Sequence, residues 1–130
     1  MSPRRRGALV VSVGLLLACS GTTGPVAGTL KVNLASPNNG VDGAVLLVLS
    51  APVAPVSVNA GPGLTLWGGP VTGVTATLVL TGNVTTGTLL TLQVEDINAV
   101  RQYTVTLQQV AQTSGYQLES LAGYSVTVTK

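Results

Sequence analysis

From residue 29 onward, apolar and polar positions alternate with a period of two. Leu30, Val32 and Leu34 fall on one side of a strand, with Lys31 and Asn33 on the other. Ser36-Pro37-Asn38-Asn39-Gly40 reads as a loop. Gly43 then precedes Ala44-Val45-Leu46-Leu47-Val48-Leu49, a continuous apolar run of the kind expected for a strand covered on both faces. Pro52, Pro55, Pro62 and Pro70 divide the next stretch into edge pieces, because proline cannot donate to a ladder. The short strands left between them are Val56-Ser57-Val58 and Leu64-Thr65-Leu66-Trp67. Alternation then returns at Val74, Ala76, Leu78 and Leu80, at Leu90, Leu92 and Val94, at Tyr103, Val105 and Leu107, and at Tyr124, Val126 and Val128. Thr81-Gly82-Asn83 and Asp96-Ile97-Asn98-Ala99 read as turns, and only 110–121 offers room for a helical turn. Seven or eight short strands at regular spacing predict an all-β fold, an immunoglobulin-like two-sheet sandwich of antiparallel strands.

Composition sharpens this picture. The chain of 130 residues holds 21 Val and 17 Thr but a single Ile, a balance that suits pleated sheets better than helices. It is 8% charged, and threonine stands on the outward faces where many proteins place charge. Histidine is absent, and there is one cysteine and four carboxylates, so most hydrolytic, redox and transition-metal chemistry lacks its usual residues. No cofactor and no enzyme activity are expected.

The first residues differ in kind. Arg4, Arg5 and Arg6 precede an uncharged run from Gly7 to Ala18, too short to span a hydrocarbon core but built like the apolar segment of an export signal. Arg5-Arg6-Gly7-Ala8-Leu9 faintly resembles a twin-arginine signal, although a plain basic start accounts for it. Leu16-Leu17-Ala18-Cys19 resembles the lipobox of bacterial lipoproteins, with Leu17 bulkier than the small residue most common in that slot. The resemblance implies cleavage after Ala18 and lipidation of Cys19, the chain's lone thiol, so that membrane lipid becomes its first partner. With more than one acyl chain such an anchor is stable without a transmembrane helix. Ser20 stands where an Asp would resemble an inner-membrane retention signal, so the outer membrane is favoured in a cell with two. The domain plan is therefore a signal peptide over 1–18, a lipidated cysteine and tether over 19–28, and a sandwich over 29–130. Removal of the three arginines leaves three basic and four acidic side chains, a net charge of −1. Without a basic patch, nucleic acid is not an expected partner.

With the strands placed, the order of signals resembles the cohesin-type sandwich, a neighbour of bacterial carbohydrate-binding modules. Gly43 to Pro52 is similar to that family's early strand, Gly87 to Val94 to a later one, and Tyr103 to Leu107 to the strand after it. Ser50 and Ala51 occupy the places where the family has Tyr and Asp. The resemblance implies a fold and little about function, since one fold hosts many sites.

Trp67 is the leading recognition candidate. If Leu64 and Leu66 point inward, Thr65 and Trp67 point outward beside Gly68-Gly69-Pro70, and an exposed indole there would stack on a sugar ring, with Thr65 and Asn59 as polar neighbours. The plainer alternative is an indole folded back over a sheet edge or into the core. Asp42 with Asn38 and Asn39, and Glu95 and Asp96 with Asn98, are candidate calcium ligands. Neither group has the six to eight oxygens that calcium takes, and Asx side chains in turns commonly bond their own backbone. A lysine facing an Asn and an acid would resemble the isopeptide crosslinks of some surface adhesins, but Lys31 alternates onto the solvent side. Glu95 with Glu119, or Glu95 with Asp96, is the available carboxylate pair for acid–base work, but adjacent acids on a strand point to opposite faces. The expected function is thus a non-catalytic, lipid-anchored binding or scaffolding module of the cell envelope. Its first expected partner is an envelope protein that adds a strand to the unpaired edges near the prolines. A polysaccharide bound through Trp67, or a spacer without a specific site, are the alternatives.

Overall fold

Stiff β-branched residues and short Gly/Pro/Asn breaks give eight strands and one short helix in the computed structural model, which describes residues 24–68 and 70–130. The strands are β1 (Gly28–Ala35), β2 (Asp42–Ser50), β3 (Ser57–Ala60), β4 (Leu64–Trp67), β5 (Thr75–Gly82), β6 (Gly87–Val94), β7 (Thr104–Gln112) and β8 (Ser125–Thr129). They form two four-stranded antiparallel sheets, ordered β3-β6-β1-β8 and β4-β5-β2-β7. Only β4 and β5 follow one another within a sheet, and every other connection crosses from one sheet to the other. The fold is a small all-β sandwich. The signal peptide, the cleavage residues Leu16, Leu17 and Ala18, and Cys19 lie outside the described residues.

The alternation read from the sequence places the core. Leu30, Val32 and Leu34 of β1 and Leu90, Leu92 and Val94 of β6 meet Val45, Leu47 and Leu49 of β2 and Leu78 and Leu80 of β5. All of these are essentially closed to solvent, and each such side chain stabilises the fold by roughly 1.5–3 kcal/mol relative to exposure. The chain is tied to the β6–β7 connection before β1 begins: the Val26 amide donates to Asp96 Oδ1 at 3.2 Å, and the Ile97 amide donates to the Val26 carbonyl at 2.7 Å. Gly61 must be glycine for a different reason. Its amide donates to the Leu89 carbonyl at 2.7 Å, and a Cβ there would collide with the Thr88 carbonyl oxygen.

Three sequence expectations change. The segment 110–121 holds no helical turn: β7 runs on to Gln112, and the following chain doubles back so that Leu118 bridges Ala111. The cause is a bulge at Gln108, where the pairing passes from Leu47↔Leu107 to Leu46↔Gln109. One extra residue reverses the parity, so Val110 rather than Gln109 turns inward. The helix that does form is a 3-10 helix at Ile97–Gln102, in place of a simple turn, capped by Asp96 accepting from the Asn98 amide at 3.0 Å. Finally, the run Ala44–Leu49 is not covered on both faces. Val45, Leu47 and Leu49 are buried, whereas Ala44, Leu46 and Val48 are only half-buried, because neighbouring strands flank them and no third layer lies over that face.

Candidate functional site

The outer face of the second sheet follows from strand register. Trp67 of β4 pairs with Val79 of β5, Val79 with Leu46 of β2, and Leu46 with Gln109 of β7. The next outward row is Thr65, Thr81, Ala44 and Ala111, ending at Leu118 through its bridge to Ala111. Thr77, Val48 and Thr106 make a third row. No charged side chain belongs to these rows. A shallow hollow of about 200 Å³ opens among Ala44, Leu46, Val79, Gln109, Ala111 and Leu118. Trp67 and Leu118 stand at opposite ends of this apolar band, 56% and 65% exposed. Between them Ala44, Leu46, Val79 and Ala111 are half-buried, so the apolar positions gather on one face instead of scattering singly.

Trp67 therefore points outward, on the side its parity predicts, and does not enter the core. Its indole N–H donates to Thr81 Oγ1 at 2.8 Å, which lays the ring back toward β5 and satisfies its one polar atom. Thr65 shares this face, since it pairs with Thr81. Asn59 does not. On β3 the side chains of Val58 and Ala60 pack against the core, so Asn59 projects from the outer face of the first sheet. The candidate trio of Trp67, Thr65 and Asn59 is thus split between opposite faces of the sandwich, because β3 and β4 belong to different sheets.

The first sheet's outer face is polar. Asn59, Thr91, Lys31 and Thr129 lie in one register row, and Thr88 Oγ1 and Asn33 Nδ2 extend a hydrogen-bonded ladder toward Thr129. Lys31 is exposed there, as its parity predicts. An open groove of about 440 Å³ runs beside it, lined by four threonines together with Pro62, Leu64, Asn83 and Gly87. It holds one charge and no arranged pair of reactive groups.

Neither candidate calcium cluster draws its oxygens together for an ion. Asp96 Oδ1 is occupied by the amides of Val26 and Asn98, while Asn98 Oδ1 accepts from Lys130 Nζ at 3.4 Å. Asn39 Oδ1 accepts from the Thr86 amide at 2.7 Å. Among the described residues, no three acidic, cysteine or histidine side chains converge. Asp42 has a different role. It is 1% exposed, and its oxygens accept from the Ser36 hydroxyl at 2.5 Å and the Tyr124 hydroxyl at 2.8 Å. Asn38 Nδ2 donates to both Tyr124 Oη and Glu119 Oε1, at 2.9 and 3.1 Å. Burial pushes the Tyr124 phenol up, and the Asp42 carboxylate adds to the shift. Sequence reasoning missed Ser36, Glu119 and Tyr124 as Asp42's neighbours, because Tyr124 comes from more than eighty positions away. It also missed the apolar face, although the three additional apolar residues Ala44, Leu46 and Val48 carried its signal.

These features define the class of molecule: a β-sandwich with one polar and one neutral, apolar outer face. No protein-family model, curated protein or solved structure matches the chain.

Proposed function

We propose that the protein is a non-catalytic binding module of the cell envelope, exported, held to membrane lipid through acylated Cys19, and docking a partner protein on the outer face of its second sheet. The observation that carries this reading is the uncharged apolar band from Trp67 through Val79 and Leu46 to Leu118. The face is a stronger candidate than the strand edges. β3 and β4 offer four residues each among prolines, β8 offers five, and β7 is bulged at Gln108 and covered at its end by the returning chain. Short, bulged or covered edges are poor templates for an added strand. The anchor rests on the basic start, the apolar run and the lone thiol of the lipobox-like segment. Its outer-membrane placement in a two-membrane cell rests on Ser20.

A photocrosslinker at Leu46 in the full chain, expressed in its own cells, tests the docking face. A discrete protein adduct is expected from position 46, absent from a crosslinker at Asn59 on the opposite face and lost with Val79→Lys. Equal labelling from both faces would refute the assignment. The anchor has a separate test: Cys19→Ala removes fatty-acid labelling and the membrane fraction, and unchanged membrane association overturns that part.

A second reading, polysaccharide binding, is favoured by one observation. The indole N–H of Trp67 is already satisfied by Thr81, leaving the half-exposed ring beside the Thr65 and Thr81 hydroxyls as a stacking surface. A saturable shift of Trp67 emission with soluble envelope polysaccharide, without a protein adduct at position 46, would select it.

A further inference from the structure

The segment between β7 and β8 is held at two points. Along its backbone it pairs with β7: the Gln112 amide donates to the Gln117 carbonyl and the Glu119 amide to the Val110 carbonyl, both at 2.8 Å. Through side chains it is held by Glu119, whose Oε1 accepts from Asn38, the same amide that donates to Tyr124 beside Asp42, while the preceding Leu118 lines the outer-face hollow. Adjacent residues of this strap thus serve two different surfaces.

The chemistry of the Glu119 contact is unusual. Glu119 Oε1 accepts from Asn38, but Oε2 is closed to solvent and has no donor. A buried carboxylate oxygen without a partner is costly, and the nearby Asp42 carboxyl is buried and already an acceptor from Ser36 and Tyr124. The titratable groups facing Glu119 are Asp42 on β2 and Tyr124 just ahead of β8. Ser36 and Asn38 of the β1–β2 loop complete the surroundings, and no lysine or arginine hydrogen-bonds to this cluster among the described residues. Two carboxyl groups in this position cannot both ionise without repulsion, whereas one shared proton turns the contact into a charge-assisted hydrogen bond. That proton would also satisfy the orphaned oxygen.

We propose that Glu119 and Asp42 form a proton-dependent clasp: Glu119, as a neutral acid, holds the strap 113–123 against the β1–β2 corner, and loss of its proton loosens the strap. The clasp goes beyond the docking role and does not require it. Its consequence reaches the docking face, because a loosened strap withdraws Leu118 from the hollow and uncovers the end of the β7 edge. The direction of the titration agrees with the geometry. The hydrogen bond with Asp42, then burial and Asp42's negative charge, raise the Glu119 carboxyl, while Tyr124 partly offsets them. A carboxyl group raised on folding contributes its stability fully below the unfolded value of about 4.3 and loses it as pH rises through the folded one. The clasp is therefore closed in acid and opens as pH rises through the raised Glu119 value.

Amide hydrogen exchange of the full chain between pH 4.5 and 7.5, corrected for intrinsic rates, tests this. Protection of the Gln112 and Glu119 amides, the two that tie the strap to β7, is expected to fall by about tenfold or more relative to the β1 core as pH rises. Glu119→Gln, which keeps an uncharged donor, should make that ratio independent of pH, while Glu95→Gln should leave the wild-type profile unchanged. Identical profiles for wild type and Glu119→Gln would overturn the clasp. Recovery of neutral-pH protection in wild type by millimolar calcium, with no effect on Glu119→Gln, would also overturn it, by assigning the pair to a cation.

Discussion

Truncating Leu47 to alanine is expected to lower the unfolding free energy by about 2–5 kcal/mol, the range for a large aliphatic side chain deleted from a core that cannot collapse around the space. Leu47 is fully buried, at the middle of the strand that β5 and β7 flank on either side. Its sheet is held in register along nearly the whole of β2, so neighbouring backbones have little freedom to close the cavity. Because domains of this size hold a total of roughly 5–15 kcal/mol, the variant approaches the limit of folding. The midpoint of thermal unfolding should fall by roughly 8–40 °C, taking about 4–8 °C for each kcal/mol. Leu46 supplies the control. It is chemically identical and one position away, but lies half-buried on the outer face, and Leu46→Ala should cost clearly less, about 1 kcal/mol. Urea denaturation of both variants measures the difference. Similar losses would mean that another layer covers the outer face, and the docking surface would then not exist.

The Leu46–Leu47 pair also shows what the sequence could and could not tell. Alternation alone located β1 and β4 and the inward residues Leu90, Leu92 and Val94, because each lies in an unbroken period of two. It failed wherever a bulge changed the phase. At Val32/Asn33 the extra residue on β6 lets Leu89 and Leu90 both turn inward, and at Gln108 the same device brings Val110 into the core. No local pattern announces a bulge, since it is set by the partner strand. A continuous apolar run was equally ambiguous. Ala44 to Leu49 fits a strand under a third layer or a strand whose outer side awaits a partner, and only the arrangement of the sheets distinguishes them.

The candidate site was legible to the extent that it depended on parity. Thr65 and Trp67 face outward together as their positions require, but Asn59 is on the other side because the chain changes sheets between β3 and β4. Residues brought together by topology were invisible. Asp42 sits next to a glycine after an Asn-rich loop, where an exposed turn or calcium ligand is the natural expectation. It becomes a buried acceptor only when β1, β2 and the approach to β8 place Ser36 and Tyr124 around it.

That burial makes Asp42→Ala the second large perturbation. The substitution leaves the hydroxyls of Ser36 and Tyr124 without their acceptor in a partly dry setting, and each orphaned donor costs about 1–3 kcal/mol. A loss of roughly 2–4 kcal/mol is expected near pH 5, with Tyr124→Phe costing less because Asp42 then keeps the Ser36 donor. The two effects should not add, since the residues share one hydrogen bond, and a double-mutant cycle will return the coupling. The cost of Asp42→Ala also depends on pH in a direction that follows from Glu119. In the wild type, stability declines as Glu119 gives up the proton that the Asp42 charge helped it retain. Without Asp42 that retention weakens and the decline is smaller, so the wild-type and variant stabilities converge toward neutral pH. Urea melts of both proteins at pH 5 and pH 7 measure the convergence. A gap that stays constant or widens would show that Asp42 acts only as an acceptor for Ser36 and Tyr124, with no charge coupling to the strap.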